Sequence, residues 1–261
     1  MSSMPLAAGA YNRVPQPTPS FWVIKLLAVT VGETAADFLA LNLGLGLQLT
    51  SLLMTGILAI AIVLQFMQKR YVPFYYWFAV VLVSVVGTLL TDNLVDNLGV
   101  PLQTTAIVTA ILLAITFALW YGSEKTLSIH TIITTRREVF YWIAILLTFA
   151  LGTAVGDLVA EKFDVGYLNT GLLFALIIGV IAFGYFVLRI DAVLSFWLAY
   201  ILTRPLGASF GDLLSQPMEY GGLGLGTVVT SFIFLAAIVA IVVYMSFTGR
   251  GGELVSRQSE A

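Results

Sequence analysis

Polar positions interrupt the apolar stretches of this chain on a fixed schedule. Apolar runs of roughly twenty residues, enough for a helix to cross a hydrocarbon layer about 30 Å thick, fall near 21–41, 48–68, 74–95, 101–121, 139–161, 168–188, 192–214 and 223–247. They predict eight transmembrane helices. Every second run carries the same pattern: an aromatic-Trp pair, Gly ten residues after the Trp, a small residue fourteen after and Asp fifteen after. The four copies are Phe21-Trp22…Gly32…Ala36-Asp37, Tyr76-Trp77…Gly87…Thr91-Asp92, Tyr141-Trp142…Gly152…Gly156-Asp157 and Phe196-Trp197…Gly207…Gly211-Asp212.

The expected fold is therefore an all-α polytopic membrane protein. Its eight transmembrane helices form four tandem helical-hairpin repeats, an A helix with the motif followed by a returning B helix. Two spans per repeat keep all copies in parallel orientation, related by an axis along the membrane normal. The hairpins occupy residues 21–73, 74–121, 139–191 and 192–247, with tails at 1–20 and 248–261 and a linker at 122–138. The motif Trp residues are 55, 65 and 55 positions apart, so the extra length lies in the linker. That favours two halves of two hairpins without deciding between paired halves and a four-fold ring.

Basic residues give a sidedness. Arg13, Lys25, Lys69, Arg70, Lys125, Arg136, Arg137, Arg189, Arg250 and Arg257 fall on the side of both termini, and the opposite loops carry only Lys162. The positive-inside rule places both termini in the cytoplasm. Trp22, Trp77, Trp142 and Trp197 then read as an aromatic belt at the cytoplasmic interface. The first twenty residues are polar and Pro-rich with Arg13 their only charge, and do not read as a cleavable signal peptide.

Composition agrees: 59% of residues are hydrophobic and 10% charged, with mean hydropathy +0.99, against about 25% charged in a soluble domain. A net charge of −2 is uninformative about partners. Without cysteine there is neither a disulfide nor a thiolate metal site. The one histidine, His130, sits in the linker, which excludes a haem held by two histidines.

The acids within the spans are the candidate chemistry, since ionisable residues in a membrane are expensive and mark function. At 1.5 Å per residue the motif Gly lies about 15 Å from its Trp and the Asp about 22 Å from it, in the outer half of the layer. Gly32/Ala36, Gly87/Thr91, Gly152/Gly156 and Gly207/Gly211 form small-residue faces that let helices approach closely or support a homodimer. Residues four apart share a face, giving the stripes Glu33-Asp37, Thr88-Asp92-Asp96, Thr153-Asp157-Glu161 and Ala208-Asp212-Gln216. The B helices bring Thr50, Ser51, Thr104, Thr105, Asn169, Thr170, Thr227 and Thr230 to similar depth. Converging on one axis, these would make an oxygen-rich cage, with Asp37, Asp92, Asp157 and Asp212 as metal ligands and Glu33, Thr88 and Thr153 beside them. Oxygen ligands suit hard cations such as Mg²⁺, Ca²⁺ and Mn²⁺. The repeat symmetry breaks at Glu33 and at Arg204-Pro205, where other copies carry Val29, Ser84 and Phe149. Arg204 either snorkels to the interface or pairs with Glu33 as a gate or a stand-in for a coupling ion.

The stretch Val14-Pro15…Phe21-Trp22-Val23-Ile24-Lys25…Val31-Gly32-Glu33-Thr34…Asp37-Phe38 resembles the opening of a bacterial integral-membrane family labelled "uncharacterised membrane-anchored protein", and the resemblance runs through all four repeats. A looser one is to small manganese and calcium exporters built from repeated helices, whose Gly-Asp motifs continue with a basic and a hydroxyl residue. Here Gly156-Asp157 is followed by Leu158 and Gly211-Asp212 by Leu213, so no site residue carries over.

The resulting expectation is a secondary transporter, in the bacterial inner membrane, of a small inorganic cation. The cation is divalent with Mn²⁺ first, coupled to protons on the same carboxylates, and no cofactor is permanently bound. The alternatives are a cation or proton channel with an acidic ring and a non-transporting scaffold whose Asp residues cross-link helices. No Ser, His or Cys constellation in the spans supports an enzyme, no P-loop supports direct ATP drive, and nucleic acid is not an expected partner.

Overall fold

The structure, a computed structural model, describes residues 11–248; Arg250, Arg257, half of the expected N-terminal tail and nearly all of the C-terminal one lie outside them. All regular structure in the described residues is helical. The A helices are α1 (Pro19–Asp37), α3 (Pro73–Asp92), α5 (Thr135–Asp157) and α7 (Ala192–Ser215). The B helices are α2 (Gly46–Phe66), α4 (Leu102–Glu124), α6 (Tyr167–Phe186) and α8 (Thr227–Thr248).

Local chemistry sets the ends. Thr18 and Thr134 accept hydrogen bonds from the Phe21 and Arg137 amides, and Asp191 from the Leu194 amide at 2.8 Å, satisfying donors that a helix start leaves unpaired. Pro19 and Pro73 occupy first-turn positions where the missing N–H costs nothing. At the opposite end Gly99 and Gly166 turn the chain at φ +67 and +76, a backbone open to glycine at little cost.

Seven helices, α2 to α8, are long and apolar enough to cross a membrane, which makes this a multi-pass membrane protein. The first is the exception, because Lys25, Glu33 and Asp37 fall within its 19 residues. It nonetheless packs as the others do, against α3, α7 and α8.

The four A helices close into a ring, α1 on α3, α3 on α5, α5 on α7 and α7 on α1. The linker does not divide the molecule into two halves, as its length suggests. Nor does each hairpin pack mainly on itself: α2 lies on α3, α4 on α5, α6 on α7 and α8 on α1. Each repeat therefore covers the next, and the last covers the first. The B helices form the outer layer, α2 being mostly exposed and α3 mostly buried.

The motif glycines build the ring. Gly32 faces Ser84, Gly87 faces Phe149, Gly152 faces Arg204 and Gly207 faces Val29, each too closely to admit a Cβ. The rule is the same each time: the glycine of one repeat meets the residue three before the glycine of the next. The small-residue faces are thus used between repeats of one chain.

The aromatic pairs close the end of the ring on the side of the described N-terminal residues. Phe21 packs on Trp77, Tyr76 on Trp142, Tyr141 on Trp197 and Phe196 on Trp22, with ring centroids 5.5, 5.6, 6.2 and 5.7 Å apart. The expected interfacial belt is corrected here: Trp77, Trp142 and Trp197 are buried inside the protein. Their indoles fill space between A helices rather than meeting lipid headgroups.

The helices also end differently from the apolar runs. After Asp37, Asp92 and Asp157 the chain passes into a π-helical turn, Phe38–Asn42, Asn93–Asn97 and Leu158–Lys162. The fourth copy runs as α-helix to Ser215. The expected start of the last helix at 223 moves to Thr227, because the Leu223 and Leu225 amides bond back to the Leu213 and Leu214 carbonyls of α7.

Candidate functional site

Residues four apart on the A helices stack into levels along the ring axis, counted inward to outward from the aromatic seal. The first level inside the seal holds Lys25, Val80, Ile145 and Tyr200, all buried. Lys25 is 0% exposed. Its ammonium donates to the Tyr200 carbonyl at 2.9 Å and lies over the Tyr200 ring, 3.9 Å from its centroid. The reading of Lys25 as one of the positive-inside charges is therefore corrected. Its place on the Lys25-Val29-Glu33-Asp37 face was visible in the spacing, and that signal was the one to follow.

The next levels break the repeat symmetry in one concerted way. Arg204 is 0% exposed and does not snorkel. Its Nη2 donates to Glu33 Oε2 at 2.6 Å, to Thr153 Oγ1 at 2.7 Å and to Thr88 Oγ1. Thr88 also donates to Glu33 Oε2, at 3.3 Å. Glu33, Thr88 and Thr153 each follow a motif glycine, one on α1, one on α3 and one on α5. The fourth equivalent is Ala208, whose methyl leaves the centre free for the arginine arriving from one turn earlier. The arginine stem crosses α5 at Gly152. Nε and Nη1 of Arg204 are buried with no hydrogen-bond partner.

Outward of this node stand Asp37, Asp92, Asp157 and Asp212. Each lies within electrostatic reach of Glu33, and Asp157 also of Asp92, Asp212 and Glu161. Asp212 is 9% exposed and the other three are half-buried. None of the four carboxylates bonds a neighbouring helix among the described residues. Asp96 and Glu161 are exposed at the rim, with Tyr167 donating to Glu161 at 3.3 Å. The ring is thus acidic toward the end that carries Asp96 and Glu161, and is filled by cations and aromatic rings toward the other.

Among the described residues no three His, Cys, Asp or Glu side chains converge closely enough to hold a metal ion. The B-helix polar residues do not complete a cage. Ser51 accepts from Asn93 at 2.6 Å in the α2–α3 seam, and Thr104 and Asn169 are exposed. Thr227 donates to Asn42 Oδ1 at 3.2 Å. Thr50, Thr105, Thr170 and Thr230 are buried, their hydroxyls unpartnered. His130 bonds from its backbone amide to Ser128 Oγ at 3.3 Å, in the loop between α4 and α5.

One further network escaped sequence reasoning. Arg13 donates to buried Glu138 at 2.8 Å, and Gln65 donates to the other oxygen of Glu138 at 3.0 Å. With Asn12 bonded to Ile129 and Ile132, this ties the described N-terminal residues across the sealed end of the ring. Nothing in the spacing of these residues announces it, because the partners lie more than fifty positions apart.

The family described as Repeat of Unknown Function (DUF347) matches residues 20–71, 75–126, 140–191 and 195–250. These segments make up most of the chain, and the chain belongs to that family. No curated protein and no solved structure matches it.

Proposed function

We propose that this member of the DUF347 repeat family is a secondary transporter of a small inorganic cation, divalent and with Mn²⁺ the first to test, exchanged against protons on the ring of repeated aspartates. One observation carries the reading: four carboxylates at equivalent positions surround one axis, unbonded to their neighbours, above a sealed floor. Helix-linking aspartates would be engaged with adjacent helices, and these are not. Carboxylates left free at one depth repel one another and attract cations or protons.

Their failure to converge favours a hydrated ion held through its water shell over a stripped one, and it supports a second reading, a cation or proton channel with an acidic ring. Saturation and coupling separate the two. The setting we propose is a bacterial cytoplasmic membrane with both termini inside, and transport rather than catalysis as the activity.

The test is flux into liposomes carrying a divalent-metal dye and a pH dye, comparing wild type with Asp92→Asn and Asp157→Asn at matched folded amounts. Saturable metal movement with opposing proton movement, lost in both variants, is expected. Proton or metal flux that does not saturate selects the channel. No flux of Mn²⁺, Ca²⁺, Mg²⁺ or protons in wild type overturns the proposal.

A further inference from the structure

We infer that Arg204 is a tethered cation seated in a cation site. The oxygens of Glu33, Thr88 and Thr153 form a cradle on the ring axis that takes a small monovalent alkali cation when the guanidinium withdraws. The inference rests on the transport reading for that withdrawal, but the cradle itself is a matter of geometry.

All three oxygens meet on one nitrogen, Nη2, and they come from three different helices of the ring. An arginine held for stability presents its planar fork to a carboxylate through two parallel bonds. Here the fork is unused. Nε and Nη1, with three hydrogens between them, are buried without an acceptor. The oxygens thus gather on one nitrogen, while the guanidinium carbon lies over the Phe149 ring, 5.9 Å from its centroid, and the other two nitrogens have no hydrogen-bond partner. Such an arrangement fits an ion better than it fits an arginine.

Charge and chemistry define the occupant. One carboxylate and two neutral hydroxyls balance one positive charge. A divalent ion of this hardness draws on six to eight oxygens, about as a Ca²⁺ site does, with several of them anionic. The cradle offers one carboxylate, so its charge is matched to Na⁺ or a neighbouring alkali ion, with water completing the shell, rather than to the divalent ion proposed for the aspartate ring.

The means of withdrawal are in place. Pro205 follows Arg204 within α7, removing a backbone donor and loosening that turn. Lys25 lies within electrostatic reach of Arg204, a like charge that opposes its seat. Gly152 gives the stem a smooth path.

The experiment is thermal unfolding of the purified full-length protein in detergent, in LiCl, NaCl, KCl or choline chloride at equal ionic strength. Wild type, Arg204→Ala and Arg204→Ala with Glu33→Gln are compared. Wild type is expected to melt at one temperature in all four salts, because its cradle is filled. Arg204→Ala is expected to gain roughly 5 °C or more in an alkali salt over choline when the ion is a hundredfold above its Kd. Adding Glu33→Gln should abolish that gain. Recovery of folded Arg204→Ala only in an alkali salt is the same result in stronger form.

The proposal is overturned by Arg204→Ala melting alike in all four salts, by stabilisation on acidification alone, by a wild-type response equal to the variant's, by an alkali gain that survives Glu33→Gln, or by a variant that folds in no salt. No flux is read, so the outcome is separable from the transport test. Failure here leaves the aspartate ring standing, and failure of flux leaves the cradle standing.

Discussion

Three side chains in the middle of the ring show what burial demands of a charge. Arg204 and Glu33 hold each other, and removing one partner leaves an uncompensated charge in a dry setting. Glu33→Gln should therefore lower stability by about 3–5 kcal/mol, and Glu33→Gln with Arg204→Gln should recover most of it; chemical denaturation in detergent measures both. Lys25 has a carbonyl and an aromatic face but no acid. Lys25→Met keeps the length and drops the charge, so it should leave stability unchanged or raise it by about 1 kcal/mol, read from the unfolding midpoint. The aspartates behave oppositely. Because they bond no neighbouring helix, Asp92→Asn and Asp157→Asn should stay within about 0.5 kcal/mol of wild type. A loss of several times that would favour the scaffold alternative.

Helices in this protein are positioned by where they lack side chains. Gly87 and Gly207 sit against Phe149 and Val29 with no room for a methyl, whereas Gly211 has ordinary spacing to Thr30 and Glu33. Gly87→Ala and Gly207→Ala should each cost about 1–3 kcal/mol through forced separation of adjacent helices. Gly211→Ala should fall within about 1 kcal/mol, helped by the better helix propensity of alanine. Thermal midpoints of the three variants separate the two classes. The π-helical turns belong to the same scale. They follow the aspartate in three repeats and are absent from the fourth, the repeat that supplies the arginine. Such turns recur at functional sites, and here they lie between the carboxylates and the outer rim.

At the scale of the molecule, order around the ring matches order along the chain, and α8 closes the circle on α1. The halves meet through two A-helix seams of the same kind, α3 with α5 and α7 with α1, and through the B helices that cross the cut, α4 on α5 and α8 on α1. A chain cut between α4 and α5 should thus yield two fragments that fold together and not apart. Co-expression should give one complex on size exclusion, and either fragment alone should aggregate. A structure of two independent halves would give the reverse.

Much of this could be read from residues alone, because repetition leaves a mark in sequence that needs no geometry. The Trp–Gly–Asp spacing identified four like units, the apolar runs identified helices, and the misfit of Glu33 and Arg204 with the repeat marked the pair that meets. The same periodicity extends the first stripe back to Lys25, but its charge near a helix start reads as a positive-inside residue, and that reading is the one the structure corrects. The hydrophobic pattern does not encode which helix covers which, since an apolar face packs on any apolar partner. Only tertiary packing decided that the ring closes four-fold, that B helices cover the following repeat, and that the Trp residues seal the axis. The same holds for the acids: their depth follows from residue count, whereas their standing apart and the meeting of three oxygens on one nitrogen depend on how helices distant in sequence are turned toward each other.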